Sequence, residues 1–250
     1  MKRSLFFFFG LGILAALATA EDRNPPSAPP PVSSPPPASS STGGAAPVLP
    51  RYVPPVHGAP RASIGAGTRA AGVAAHLEAI SPEPLGQTLS PSPSLYWYLS
   101  EPTQARVDFT LTDETSVTPL VERTLPGPFV AGMHRVDLEA LGVKLTPGTE
   151  YQWYVSLVKD PEERSSDVVT GGIVLLVDGG GLREQVARVS AEQRPFVLAE
   201  SGIWYDAVDA LSRRIESEPS DPTAHRQLAA LLEQVGLTQV AAAEGAKSHP

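Results

Sequence analysis

Four acidic side chains crowd one short connection, Asp160, Glu162, Glu163 and Asp167, and carboxylates this close together could supply oxygen ligands to calcium. The spacing of an EF-hand loop is absent and Arg164 stands among the acids, so the segment reads as a solvated turn. Ser156 and Lys159 form S-x-x-K, a pairing that acyl-transfer enzymes use at a helix start. Here both fall in a strand pattern, where residues three apart face opposite sides, and the companion S-D-N and K-T-G motifs are missing. Gly65, Gly67 and Ala70 satisfy G-x-G-x-x-A, but that fingerprint works between a buried strand and a helix, and a proline-rich tract precedes this one. The five histidines, His57, His76, His134, His225 and His249, are scattered, and none forms H-E-x-x-H. The chain has no cysteine, which excludes thiol chemistry and disulfides. No catalytic residue, cofactor or metal ligand is assigned.

Tyr96, Tyr98, Tyr154, Trp204 and Tyr205 form the candidate binding surface. Tyr98 and Tyr154 fall on the strand face opposite Trp97 and Trp153, and a row of exposed aromatics would suit sugar stacking or a protein partner. The competing reading packs these rings beneath C-terminal helices, which must dock somewhere.

The segment Leu145–Val177 must position much of this. Pro147 and Gly148 supply turn chemistry, and Tyr151 opens a strand in which Tyr151, Trp153, Val155 and Leu157 share one face. This arrangement resembles the tyrosine corner of fibronectin type III and immunoglobulin-like sandwiches. Strands are predicted at 86–90, 95–100, 105–112, 118–125, 133–138, 150–159 and 167–177, which points to an antiparallel β-sandwich. Val107, Phe109 and Leu111 alternate with Asp108 and Thr110, predicting one buried face and one wet face. Ahead of these strands, Val73, Leu77 and Ile80 suggest a short helix.

After Gly179-Gly180-Gly181 the apolar period lengthens. Ile203, Ala207, Leu211 and Ile215 make a helical stripe ending before Pro219, and Asp221-Pro222 starts a second helix that Gly236 closes. Their spacing is tetratricopeptide-like; Leu182 to Ser190 could form an earlier helix, but Pro195 interrupts the pattern of a first repeat. The fold class is therefore α+β: an immunoglobulin/fibronectin III-like sandwich at 61–178, then a helical hairpin within 182–240 packed on it.

Lys2 and Arg3 precede an apolar run from Leu5 to Leu17, and Ala18-Thr19-Ala20 offers small residues for cleavage. Residues 1–20 read as a signal peptide, too short an apolar run for a stable span, and predict a periplasmic or secreted protein not inserted in the membrane after cleavage. Residues 21–60, rich in Pro, Ser and Ala, read as a disordered linker. Without Lys2 and Arg3 the chain keeps 17 basic residues against 27 acidic ones, a formal charge of −10 that repels nucleic acid.

Several segments together carry a family likeness. They are Tyr52-Val53-Pro54-Pro55, Gly58-Ala59-Pro60, Gly67-Thr68-Arg69, Leu95-Tyr96-Trp97-Tyr98-Leu99, Tyr151-Gln152-Trp153-Tyr154, Arg164-Ser165-Ser166-Asp167, Val235-Gly236-Leu237 and, most specifically, Ala199 through Ala207. The chain resembles the bacterial domain-of-unknown-function 928 family over roughly residues 51–237. Members often carry a cysteine after the Gly-Thr-Arg element, and this chain has none. The resemblance implies an exported protein with no assigned activity. The expected function is a non-enzymatic interaction or scaffold module whose partner is an envelope protein. The alternatives are polysaccharide binding through exposed aromatics and a hydrolase with acidic catalytic residues.

Overall fold

Among the described residues the chain forms eight strands in two sheets. The computed structural model describes residues 48–55, 76–114 and 116–248. One sheet has the order β1-β3-β6, from β1 (Leu77–Ala79), β3 (Ser94–Leu99) and β6 (Gly132–Asp137). The other has the order β2-β8-β7-β4-β5, from β2 (Gly86–Thr88), β8 (Val168–Leu176), β7 (Glu150–Val158), β4 (Arg106–Asp113) and β5 (Val121–Leu125). The seven predicted strands are all present, with ends shifted by up to three residues.

Two expectations are corrected at the start of the sheets. Leu77 belongs to a strand rather than a helix, because β1 pairs with β3 and the Ala79 N–H also donates to Thr170 Oγ1 at 2.9 Å. The second sheet is mixed, since β2 runs parallel to β8 while the other strand pairs are antiparallel. The chain leaves β1 in one sheet and enters the open edge of the other, where it meets β8 running in the same direction. Val73 and the Gly65, Gly67, Ala70 motif lie outside the described residues, as do the signal peptide and residues 21–47 of the linker.

On β7 the inward face is Tyr151, Trp153, Val155 and Leu157, all buried. The Tyr151 phenol accepts a hydrogen bond from the Thr146 N–H at 3.0 Å, which ties the strand to its preceding turn. On β4 the wet-face reading of Asp108 is corrected. Arg106 grips its carboxylate with two 2.7 Å hydrogen bonds, Thr124 donates at 2.8 Å and Arg164 lies 3.3 Å away, so remote partners bury a residue that alternation places in water.

The Arg106 hydrogen bonds hold the Asp108 carboxyl below the usual carboxylate range. A depressed folded-state pKa contributes stability that is complete above the unfolded value of about 4 and lost as pH falls through the folded one. Asp108→Asn is expected to cost about 1–2 kcal/mol at pH 7 and to flatten the decline of Tm below pH about 4. Identical acid limbs in the two proteins would contradict this.

Five helices follow, where a hairpin and a candidate earlier helix at Leu182–Ser190 were expected: α1 (Gly181–Arg188), which matches that earlier helix, α2 (Arg194–Glu200), α3 (Trp204–Ser217), α4 (Pro222–Gln234) and α5 (Thr238–Ala246). Pro195 does not break a helix. It sits in the first turn of α2, where a missing N–H costs nothing. Asp221 caps α4 by accepting from the Thr223 N–H at 2.8 Å, and Gly236 leaves α4 at φ +84°, which favours glycine. Residues 48–55, read as the end of the linker, lie against the helices, with Tyr52 buried beside Trp204. One buried cluster joins residues of both sheets, α2 to α5 and Tyr52. Among the described residues no helix is long and apolar enough to cross a membrane.

Candidate functional site

The first turn of α3 is where the two kinds of structure meet. Gly202, at φ +77°, turns the chain from α2 into α3, and a Cβ there would come within 3.0 Å of the Val53 carbonyl oxygen. Consecutive helical residues project about 100° apart, so Trp204, Tyr205 and Asp206 reach three different neighbours.

Trp204 is fully buried, donates from Nε1 to the Ile80 carbonyl at 3.1 Å and meets Tyr52 edge-on at a centroid distance of 4.9 Å. Tyr205 enters between the sheets. Its hydroxyl donates to the Ile173 carbonyl at 3.0 Å and accepts from Trp153 Nε1 at 3.0 Å. Since the phenol has one hydrogen and the carbonyl takes it, the Ser81 hydroxyl at 3.0 Å must donate as well. Burial pushes this phenol up to about 12, so it stays a neutral donor. Asp206, in the first turn where the helix dipole favours an anion, accepts from Thr88 Oγ1 at 2.6 Å and the Leu89 N–H at 3.1 Å. Burial raises its pKa against those bonds.

One turn on, Asp209 accepts from the Tyr96 hydroxyl at 2.9 Å and from Arg213 Nε at 2.7 Å. Burial and the neighbouring Asp209 push the Tyr96 phenol up. Missing side chains in the strands make room for the rings. A Cβ on Gly86 would fall 2.6 Å from Tyr205 Cε2, and one on Gly172 would fall 2.4 Å from Ser81 Oγ.

Of the two readings of these aromatics, the positions agree with packing beneath the helices and not with an exposed row. Tyr96, Trp204 and Tyr205 are buried at the joint between helix and sheet, and Tyr98, on the Tyr96 face by strand parity, is buried too. Tyr154 stands apart, half-buried on the outer face of β7, with its hydroxyl on Gln152 Oε1 at 2.7 Å. The joint also depends on Ser81, Thr88, Gly86 and Gly172, which no sequence signal marked, and on Asp206 and Asp209, of which only Asp206 lies within the segment most specific to the family.

Tyr205→Phe keeps the ring but leaves Trp153 Nε1 and the Ile173 carbonyl without this partner, an expected cost of about 2 kcal/mol. Urea unfolding checks this, and an unchanged midpoint would contradict it.

Elsewhere, Arg164 Nε binds Asp167 at 2.6 Å within the acidic turn. Buried His225 lies 2.9 Å from Glu244 and 3.1 Å from the Pro219 carbonyl, linking α4 to α5. Among the described residues, no group of three or more His, Cys, Asp or Glu is placed to hold a metal ion. A cavity of about 140 Å³ lies between β1, β8 and the α4–α5 turn and includes Glu78 and Glu83. Another, of about 110 Å³, includes Asp137, Asp206, Asp209 and Arg213. Both are smaller than the roughly 300 Å³ at which small-molecule sites begin. In the second, Asp206 and Asp209 are already engaged by Thr88, Leu89, Tyr96 and Arg213.

No match is found among the curated proteins. Two solved structures show low similarity. One is astrotactin-2, described as a conserved vertebrate-specific and perforin-like membrane protein involved in neuronal development, with 13% identity, a TM-score of 0.26 and coverage of 70% of this chain and 34% of that one. The other is a multi-domain immunophilin from Arabidopsis thaliana, with 9% identity, a TM-score of 0.20 and coverage of 70% and 94%. This chain spans about a third of the first, and likeness at these scores carries no argument. The family match is of a different order: the model of the Domain of Unknown Function DUF928 covers residues 57–244, through both sheets and all of α1 to α4, and the chain belongs to that family.

Proposed function

We propose that this protein is a non-enzymatic interaction or scaffold module of the cell envelope, exported by its N-terminal signal peptide and recognising another envelope protein. In this reading the two sheets form an immunoglobulin/fibronectin III-like sandwich, supported by their strand orders and by the tie from Tyr151 to Thr146. The helices after it form a tetratricopeptide-like unit, supported by the successive packing of α2 on α3, α3 on α4 and α4 on α5.

The observation that carries the reading is that the polar and aromatic groups with the most chemical potential are used up in the joint. Tyr205, Asp206 and Asp209 each hold a strand or loop of the sheets, which leaves the scaffold rigid and the surfaces outside these contacts to do the recognising. Polysaccharide stacking through the five aromatics loses its surface, because four of them are buried. The test is a pull-down from native envelopes with the tagged full chain. The expected result is a stable envelope protein recovered in proportion to bait, and repeated recovery of none would contradict the proposal.

A further inference from the structure

Residues 48–55 lie along the helices as an extended strap held by backbone hydrogen bonds and by the buried side chains of Pro50 and Tyr52. Gln234 of α4 reads two strap positions at once. Its Nε2 donates to the Pro50 carbonyl at 3.0 Å, and its Oε1 accepts from the Tyr52 N–H at 2.9 Å, as a neighbouring strand would. Gln227, two turns earlier on the same helix, donates to the Val48 carbonyl at 3.2 Å. The Ala199 carbonyl, at the end of α2, accepts from the Val53 N–H at 3.1 Å. Four bonds to main-chain atoms recognise an extended chain and say nothing of its sequence, which is how peptide grooves divide affinity from specificity.

Specificity comes from the two buried side chains of the strap, Pro50 and, as the aromatic anchor, Tyr52, which packs edge-on against Trp204. Gly202 keeps the neighbouring wall low enough for the Val53 carbonyl and Pro55 to pass. The other large apolar side chains of the strap face water, with Val48 73%, Leu49 49% and Val53 41% exposed. The anchor itself fits imperfectly, because the Tyr52 hydroxyl is buried without a hydrogen-bond partner. An unsatisfied buried hydroxyl weakens docking, so phenylalanine would suit this pocket better than the tyrosine that fills it.

We propose that this groove is an exchangeable peptide-recognition site, occupied in cis by the strap and open to an extended, proline-flanked segment with one aromatic anchor from an envelope partner. The strap then acts as a resident competitor that sets the affinity a partner must exceed. This deepens the function proposed above by naming the surface and the class of peptide.

The test uses the full chain and a fluorescent synthetic peptide of residues 48–55, read by anisotropy. In the variant Tyr52→Ala/Val53→Pro the strap loses its anchor and one backbone bond. This variant is expected to bind the peptide saturably, at least about tenfold tighter than the wild type does. A peptide with phenylalanine at the anchor position should bind more tightly still, and one with alanine there should not bind. A folded variant that binds no peptide overturns the proposal. If the variant does not fold, amide exchange in the wild type decides. The Tyr52 and Val53 amides should exchange through a local opening, at least about tenfold faster than those of α3 and α4. Exchange only through global unfolding overturns the proposal. A folded variant that recovers an envelope protein in the pull-down but ignores the peptide removes this inference and leaves the broader function standing.

Discussion

Trp204→Ala is expected to destabilise the protein by about 3–5 kcal/mol, the range for deleting a fully buried large aromatic. The loss has two sources. The cavity opens among Tyr52 and the neighbouring helices, whose backbones are fixed by their own hydrogen bonds and cannot collapse into it. The Ile80 carbonyl also loses its indole donor at the crossing from β1 to β2. For a folded unit of this size each kcal/mol moves Tm by about 2–4 °C, so a fall of roughly 10 °C is expected by calorimetry. Trp204→Phe retains most of the volume and should recover more than half of it. A Tm within about 2 °C of wild type in Trp204→Ala would contradict the joint as described.

Gly171→Ala is expected to be nearly as damaging, at about 3 kcal/mol, although it adds a single methyl group. The added Cβ would lie 2.3 Å from the Trp153 carbonyl oxygen and 3.0 Å from Tyr154 Cδ1. The first is backbone in the centre of the β7–β8 ladder, so relief requires the strands to part rather than a side chain to rotate. Gly181→Ala is the matched control, since nothing lies within 4 Å of its added Cβ and its φ is not positive. There the substitution should be neutral or slightly stabilising. Equal urea midpoints for the two variants would show that the strand glycines are not needed for close approach.

Much of this architecture was legible because strand alternation is local. The stretch Tyr151 to Leu157 shows its buried face directly, and the stripe from Ile203 to Ile215 does the same for α3. What escaped depends on distant partners or on elements too short to have a period. β1 has three residues, and Val73, Leu77 and Ile80 imitate helical spacing around it. α5 is rich in alanine and lacks a marked apolar stripe, so nothing separates it from a loop. The strap is hidden in proline-rich composition, because its attachment uses backbone atoms and glutamines far along the chain.

The site was legible by residue type but not by placement. Tyr96, Trp204 and Tyr205 stand out in the sequence, yet whether an aromatic faces water or a helix depends on what covers the sheet. That information lies in the partner, here Asp209 for Tyr96 and Ser81 with Trp153 for Tyr205. Asp108 shows the same limit, since alternation cannot see Arg164 arriving from another loop.

The central claim is that the opening turn of α3 fuses helices and sheets into a single cooperative unit. Urea unfolding followed both by helical circular dichroism and by tryptophan fluorescence tests it most directly, since two of the three tryptophans, Trp97 and Trp153, sit one in each sheet. The account predicts coincident transitions with one midpoint. Loss of the helical signal at lower urea, together with at most the share of the emission change that Trp204 in α3 contributes while Trp97 and Trp153 keep their native emission, would contradict it.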